Sequence, residues 1–201
     1  MAIVQSSSEA MSIINCNEEA KSYILNIPAE YQEVEYIESN GNQLIKSGVY
    51  ITTTWFRANV DFQITSSNPN DQAVIWYYID GWSWHYRTWY GQNEWFTLSK
   101  GATSLERQTA TWNRTTTSNS SYQMYLFAKQ RYANWNYDSN AKCKFYSCQI
   151  YDSSDTLIRN FYACYRKSDN VIGLYDKVNG VFYTNQWSWS FTKWPDYKRT
   201  D

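Results

Sequence analysis

Apolar and polar residues alternate along this chain in short runs, with the period of β-strands rather than the period of helices. The clearest runs lie near the end of the chain, at residues 145–151 and 157–164, where a polar turn at residues 152–156 separates them. β-Branched and aromatic residues fill both runs, which predicts two antiparallel strands. A second hairpin is predicted over residues 171–184, because Asn179-Gly180 supplies the positive φ that a tight turn requires.

The preceding part of the chain contains further strand patterns. Residues 54–65 alternate as a half-buried strand does, and residues 72–79 form an apolar run that suits a central strand. Additional strands are predicted at residues 109–112 and 122–128, and an opening hairpin is predicted at residues 31–51 around Asn40-Gly41. Roughly ten to twelve short strands with little helix predict a two-sheet β-sandwich.

Both ends of this pattern resemble a known domain family. The segments that carry the resemblance are IPAEYQEVEYIESNGNQ at residues 27–43, CQIYD at 148–152, LIRNF at 157–161, CYRKSD at 164–169, VIGLYD at 171–176 and NGVFYTN at 179–185. They are similar to the concanavalin A-like, laminin G-type domain in the version common in phage structural proteins and gut bacterial surface proteins. The resemblance covers about residues 28–194. It implies an all-β, two-sheet antiparallel jelly-roll sandwich (concanavalin A-like) with a short N-terminal extension.

Length and charge restrict the domain organisation and the partners. The 201 residues suit an N-terminal arm or linker at 1–27, the jelly-roll domain at 28–196 and a polar tail at 197–201. The net charge of −1 gives no electrostatic reason to expect nucleic acid as a partner. No apolar run approaches the roughly 20 residues that span a bilayer, and residues 1–8 lack the pattern of a secretory signal. We therefore expect that the protein is made in the cytoplasm and is not inserted into a membrane.

Four cysteines are present, at positions 16, 143, 148 and 164, together with a single histidine, His85. This set does not have the spacing of a zinc site. If the hairpin of residues 145–164 pairs about its turn, Cys143 and Cys164 lie on adjacent strands. Two interpretations are open for this pair: a disulfide bridge, or buried free thiols that pack as small apolar side chains.

Three acidic residues near the start of the domain, Glu33, Glu35 and Glu38, resemble the acidic strand of laminarinase-type glycosidases. Retaining hydrolysis requires two carboxylates about 5 to 5.5 Å apart. On one strand Glu33 and Glu35 share a face, whereas Glu38 falls on the other face unless a bulge intervenes. We therefore expect these residues on a solvated outer strand, and we predict no catalytic residues and no enzymatic activity.

Aromatic residues in two poorly periodic stretches, 80–95 and 129–140, which we predict to be loops, are the best candidates for binding. Aromatic planes stack on the apolar faces of sugars, while amide and hydroxyl groups read sugar hydroxyls. Packing in the core or between subunits is the alternative role for these rings. The candidate residues are Trp82, Trp84, Tyr86, Trp89, Tyr90, Trp95, Tyr132 and Trp135.

No cofactor and no metal site are predicted. Calcium, which some jelly-roll lectins bind, is the alternative to this prediction, because four aspartates offer oxygen ligands: Asp152, Asp155, Asp169 and Asp176. Each of these aspartates also stands in a turn-like context, where its carboxylate can instead cap backbone N–H groups. We expect the capping role.

The tryptophan content allows a second interpretation. The chain has 11 Trp but only 7 Gly, and it reads QWSWSFTKW at residues 186–194, where similar sequences carry a glycine-rich run. The native protein would contain glycine at some of these positions if its source reassigns a stop codon. The positions concerned are Trp82, Trp84, Trp135, Trp187, Trp189 and Trp194.

Together these observations predict a non-enzymatic phage virion structural protein, of the capsid-decorating or fibre type, that is located in the virion. Its expected partners are virion proteins, a cell-surface glycan, or both, and self-association into a homo-oligomer is open. The alternative is a bacterial surface adhesin or carbohydrate-binding module. A laminarinase-like glycosidase ranks third.

Overall fold

The computed structural model describes residues 27–50, 55–66, 73–78, 85–89, 106–115, 123–131, 136–138, 141–194 and 196. Within these ranges the chain forms fifteen strands and no helix, so no described helix is able to cross a bilayer. The strands are β1 (Tyr31–Glu33), β2 (Ile37–Asn40), β3 (Ile45–Tyr50), β4 (Trp55–Ile64), β5 (Ala73–Tyr78), β6 (His85–Trp89), β7 (Gln108–Thr115), β8 (Gln123–Leu126), β9 (Lys129–Arg131), β10 (Asn136–Asp138), β11 (Lys142–Tyr151), β12 (Leu157–Arg166), β13 (Ile172–Asp176), β14 (Val181–Thr184) and β15 (Thr192–Lys193).

Nine strands form one large antiparallel sheet around β11. Along the sheet the order is β14-β13-β12-β11-β2-β15, while β4 pairs with both β11 and β7, and β1 pairs with β12. The hairpin of β11 and β12 is paired only from its turn to Ser147 and Tyr162. Beyond that point β2 pairs with β11 and β1 pairs with β12. The two long strands therefore carry different neighbours at their open ends.

Four strands form a smaller antiparallel sheet in the order β3-β8-β5-β6, and β9 and β10 form a separate two-stranded ribbon. Ile75 of β5 lies opposite Leu126 of β8, and the next pair is Trp76 with Tyr125. Because neighbouring residues on a strand point to opposite faces, these pairs lie on the two faces of the small sheet. All four side chains are buried, so both faces of the small sheet are covered here.

The two sheets share one hydrophobic core. The large sheet contributes apolar residues at alternate positions of β4, namely Phe56, Ala58, Val60 and Phe62, and the small sheet contributes Ile75 and Leu126. This arrangement is consistent with a β-sandwich. The prediction of an all-β fold with two antiparallel sheets is confirmed.

The two hairpins predicted near the end of the chain are confirmed. In the β11–β12 turn the Asp152 carboxylate accepts hydrogen bonds from the N–H groups of Ser154 and Thr156, and Asp155 has a φ of 57°. In the β13–β14 turn Gly180 has a φ of 68°, as the Asn-Gly pair predicts. Local turn chemistry therefore fixes both hairpins.

The predicted opening hairpin at residues 31–51 is wrong. Gly41 does turn, with a φ of 92°, but β2 before it belongs to the large sheet and β3 after it belongs to the small sheet. The side-chain oxygen of Gln43 accepts hydrogen bonds from the Ser39 hydroxyl and from the N–H groups of Asn40 and Asn42. This buried amide stabilises a corner between sheets, which uses the same residues as a hairpin turn.

Two regions predicted as loops contain strands. Residues 85–89 form β6 at the edge of the small sheet, and residues 129–140 contain the ribbon of β9 and β10. Both regions are rich in residues with a polar group, so the apolar alternation that marks a half-buried strand is absent from them. Backbone pairing does not require that alternation.

Cys143, Cys148 and Cys164 are free thiols, so a Cys143–Cys164 bridge is excluded. Cys143 packs in the core shared by the sheets, whereas Cys164 packs with Ile27 and Tyr175 in a separate cluster. Cys143 pairs with Ser39 and Cys164 pairs with Glu33, because β2 and β1 occupy the open ends of the hairpin. The expectation of adjacency failed because the hairpin is not paired along its whole length. Cys16 lies outside the described residues.

A buried ion pair fixes the β13–β14 hairpin to the rest of the sandwich. Asp176 is fully buried, and its carboxylate accepts hydrogen bonds from the N–H of Asn160 and from the amide of Asn179. Arg159 lies 3.5 Å from the same carboxylate and donates to the carbonyls of Ser47 and Gly48 on β3. The hairpin is thereby tied to both sheets, and it carries the site described next.

Candidate functional site

A groove of about 310 Å³ lies where the β13–β14 hairpin ends. The register of this hairpin places Gly173 opposite Thr184, so the turn before β13 and the segment after β14 meet at the same end of the sheet. The first wall consists of residues 169–172, and the second consists of residues 184, 185 and 187–191. The volume lies at the lower end of the range of about 300 to 1,000 Å³ for small-molecule sites.

The second wall is a loop whose backbone is fixed by two amide side chains. The Asn185 oxygen accepts a hydrogen bond from the Leu44 N–H at 2.8 Å, and its nitrogen donates to the carbonyls of Trp187 and Trp189. Gln43 donates to the Ser190 carbonyl at 2.8 Å. Phe191 then enters the core beside Phe127, with ring centroids 4.8 Å apart. The loop is therefore ordered before any ligand binds, which lowers the entropic cost of binding.

The two tryptophans of this loop have different surroundings. Trp187 is half-buried and packs against a buried cluster that includes Leu44 and Trp76. Trp189 is 61% exposed. Neither position has a positive φ, and the same is true of Trp194. The backbone at these three positions accordingly does not require glycine.

The first wall belongs to a turn in which two oppositely charged side chains pair with each other. Arg166 forms a two-pronged ion pair with Asp169, with a shortest distance of 2.6 Å, and this bond lowers the pKa of the Asp169 carboxyl. Asp169 also accepts a hydrogen bond from the N–H of Val171. Asn170 follows in the left-handed region, with a φ of 58°, a conformation that asparagine tolerates.

Chemically, the groove offers flat indole rings beside small neutral polar groups. Such a combination can stack on an apolar sugar face and donate hydrogen bonds to hydroxyls. The groove holds no histidine, cysteine or lysine among the described residues that line it, and Asp169 is its one acidic lining residue there. These described groups can stack on a ligand and exchange hydrogen bonds with it.

The structure does not bring the aromatic residues predicted from the sequence into a described site. Tyr86 and Trp89 stand on β6, a strand rather than the expected loop. The other six lie outside the described residues: Trp82, Trp84, Tyr90, Trp95, Tyr132 and Trp135. A patch formed by these eight residues stays a prediction.

The acidic residues considered for hydrolysis are divided between two strands and their connection. Glu33 ends β1 and lies opposite Cys164, whereas Glu38 is in β2 and lies opposite Lys144. Glu35, between the strands, is 4.0 Å from Arg107. The single strand on which the glycosidase comparison depends is therefore interrupted.

The four aspartates weighed as calcium ligands act locally. Asp152 caps its turn, Asp155 pairs with Arg57 at 2.6 Å, and Asp169 pairs with Arg166. Asp176 is enclosed by the hairpin contacts described above. In the described part of the chain no three acidic, cysteine or histidine residues are grouped as a metal site. Asp152, Asp169 and Asp176 thus accept hydrogen bonds from backbone N–H groups as expected, whereas the Asp155 carboxylate pairs with Arg57 instead.

A second aromatic cluster lies on the outer face of the large sheet. Tyr36 is 4% exposed, stacks on Trp194 with centroids 5.8 Å apart and contacts the edge of Tyr146 at 5.3 Å. The Lys144 Nζ lies 4.6 Å from the centre of the Tyr36 ring, and hydrogen bonding to Tyr36 raises the pKa of Lys144. Arg107 lies 3.7 Å above Tyr146. We call these five residues the outer-face cluster.

We did not predict the groove from the sequence, although the sequence contains a signal for it. An Asn-Gly hairpin brings the residues that flank it together, so it predicts that the bend at 166–170 and the run QWSWS at 186–190 lie close together. The tryptophans of that run were considered only as replacements for glycine. No protein-family model, curated protein or solved structure matches this chain.

Proposed function

We propose that this chain is a non-enzymatic recognition module that binds glycans through the groove between residues 169–172 and 184–191. The observation that carries the proposal is the pairing of an exposed indole, Trp189, with a loop whose backbone is already fixed by Asn185 and Gln43. Tryptophan is enriched at binding interfaces because its ring offers a large apolar area and its N–H offers a hydrogen-bond donor. Trp187 forms the inner part of the same wall.

The fold we propose for this module is the jelly roll. Two antiparallel sheets with a shared core support it, as does the mixture of sequential hairpins and distant pairings such as β2 with β11. The resemblance of residues 27–43 and 148–185 to concanavalin A-like domains is the second support. Recognition in such folds sits on the rim, because rim segments are free of the pairing and packing that constrain the strands.

The setting we propose is the surface of a phage virion, as a capsid-decorating or fibre-type protein. This part of the proposal depends on the resemblance to phage structural proteins and not on the groove. Peptide mass spectrometry of purified virions is the direct test. We expect peptides from this chain at structural abundance; finding it only on the bacterial envelope would favour the alternative of a surface adhesin with the same groove.

Binding is tested by a glycan array followed by isothermal titration with the best soluble oligosaccharide. The Trp189→Ala variant removes the exposed ring, and Trp194→Ala is its matched control, because Trp194 is a 52% exposed tryptophan outside the groove. We expect Trp189→Ala to lose at least about tenfold in affinity, or about 1.4 kcal/mol. We expect Trp194→Ala to bind as the unaltered protein does.

Two results would contradict the proposal. One is that no oligosaccharide on the array binds the unaltered chain. The other is that Trp194→Ala weakens binding as much as Trp189→Ala, which would place the ligand on the outer face of the large sheet. Circular dichroism and urea unfolding of both variants separate lost binding from lost folding.

A further inference from the structure

We propose, on the basis of the proposed function, that the groove binds neutral sugars and rejects sugars with a carboxylate, such as sialic and uronic acids. The reason is that the cations in the turn beside the groove are already committed to other groups, while most of its neutral polar side chains are not.

The polar groups that line the groove divide into used and unused ones. Asn185 uses its oxygen on Leu44 and its nitrogen on two carbonyls of its own loop. By contrast, the side chains of Asn170, Thr184, Ser188 and Ser190 make no hydrogen bond within the part of the chain that the structure describes. An amide and hydroxyls both donate and accept, so they match sugar hydroxyls, which also do both.

A carboxylate, however, needs donors of positive charge to replace its hydration. No arginine or lysine is found among the described residues that line the groove. In the adjoining turn Arg166 is held by Asp169 at 2.6 Å, and Lys167 donates to the carbonyl of Ala29 at 2.7 Å. An acidic sugar would therefore meet the Asp169 carboxylate and no uncommitted cation in this turn.

Asp169 is thus the residue that sets the charge selectivity. Its replacement by Asn keeps the side-chain oxygen that accepts the Val171 N–H, so the turn geometry is retained. The same replacement removes the negative partner of Arg166 and leaves that guanidinium able to pair with a ligand. Asp169→Asn should therefore convert a neutral-sugar groove into one that accepts acidic sugars.

The experiment compares N-acetyllactosamine with its α2,3-sialylated form, by titration against the full chain. We expect the unaltered protein to bind the neutral sugar at least about tenfold more tightly. In Asp169→Asn we expect that ratio to fall at least about fivefold, with greater sensitivity to salt. Ser168→Ala, a change in the same turn at a residue that does not line the groove, is the control and should leave the ratio unchanged.

The outcomes separate this inference from the proposed function. Equal or tighter binding of the sialylated sugar by the unaltered protein overturns the selectivity while leaving glycan binding intact. An unchanged ratio in Asp169→Asn overturns the role of Asp169. If neither sugar binds, the comparison is repeated with the neutral oligosaccharide that binds best on the array and with its uronic acid counterpart. If neither of these binds in the titration, the proposed function itself is overturned.

Discussion

The groove and the outer-face cluster both combine tryptophan with charged residues, yet they differ in how their groups are satisfied. In the outer-face cluster each cation lies on an aromatic ring, and Arg107 also pairs with Asp61 at 2.6 Å. In the groove an exposed indole and several neutral polar side chains make no such contacts within the part of the chain that the structure describes. The presence of tryptophan alone does not distinguish the two regions.

This difference indicates what each region contributes. A cation over a ring yields about 0.5 to 1 kcal/mol at exposed sites and more where water is excluded. The outer-face cluster obtains that energy within the chain, so its contribution is to folding. The groove leaves comparable groups unpaired, and their interaction energy becomes available only when a ligand is bound.

The largest expected difference between the regions follows from removing one ring from each. Tyr36→Ala deletes a buried ring with contacts to Trp194, Tyr146 and Lys144, and we expect it to lower the free energy of unfolding by about 3 to 5 kcal/mol. Trp189→Ala deletes an exposed ring, and we expect a change below about 0.5 kcal/mol. Urea unfolding followed by tryptophan fluorescence and circular dichroism measures both.

Tyr36→Phe is the control for this comparison. It keeps the stacked ring and removes the hydroxyl that bonds Lys144, so most of the stability should return. Comparable losses in Tyr36→Ala and Trp189→Ala would show that the groove tryptophan is a packing residue. The distinction between the two regions would then fail.

A second, smaller effect reports whether water reaches the buried cysteines. Burial raises the pKa of the Cys164 thiol to about 12, and it also raises the pKa values of Cys143 and Cys148. An unfolded thiol ionises near pH 8.5, so above that pH unfolding releases a proton that the folded state retains. Stability due to these thiols is therefore complete below about pH 8 and falls as the pH rises toward 12, by at most about 1.4 kcal/mol per pH unit for each thiol.

The measurement is urea unfolding between pH 8 and 10 of the unaltered chain and of Cys164→Ala. We expect the variant to have a shallower dependence on pH, by about one proton. Tyrosine and lysine residues also titrate in this range, but they are common to both proteins and cancel in the comparison. Identical slopes would show that water reaches Cys164 in the folded state.

The regular part of the fold was predictable because local rules decide it. The β11–β12 and β13–β14 hairpins follow from an Asp-rich turn and an Asn-Gly turn, and β4 follows from alternation. The opening hairpin at Asn40-Gly41 failed because a turn residue fixes the local φ but not the sheet that the next strand joins. The hydrogen bond from Gln43 to Ser190 and the pairing of β2 with β11 decide that, and both join residues that lie far apart in the sequence.

The candidate site was less predictable than the fold. The density of aromatic residues predicted a binding site that includes residues 80–95. The groove instead combines two indoles with a charged turn that contains no aromatic residue. Whether a polar group is used or unused is a property of its neighbours. Asn185 and Asn170 are the same residue type, yet the Asn185 side chain fixes the loop, whereas the Asn170 side chain lines the groove and makes no hydrogen bond with the described residues.

The last test has almost no effect on stability and concerns the identity of the groove residues. Because Trp189 is exposed and its φ is not positive, the fold tolerates tryptophan or a smaller residue there, and unfolding experiments do not distinguish them. Mass spectrometry of the peptide that covers residues 186–194, from protein of the native source, does. The groove proposal requires the mass that tryptophan gives at positions 187 and 189. A mass lower by the difference between tryptophan and glycine at these two positions would instead establish the glycine interpretation there, and recognition would then have to rely on the unused amide and hydroxyl groups alone.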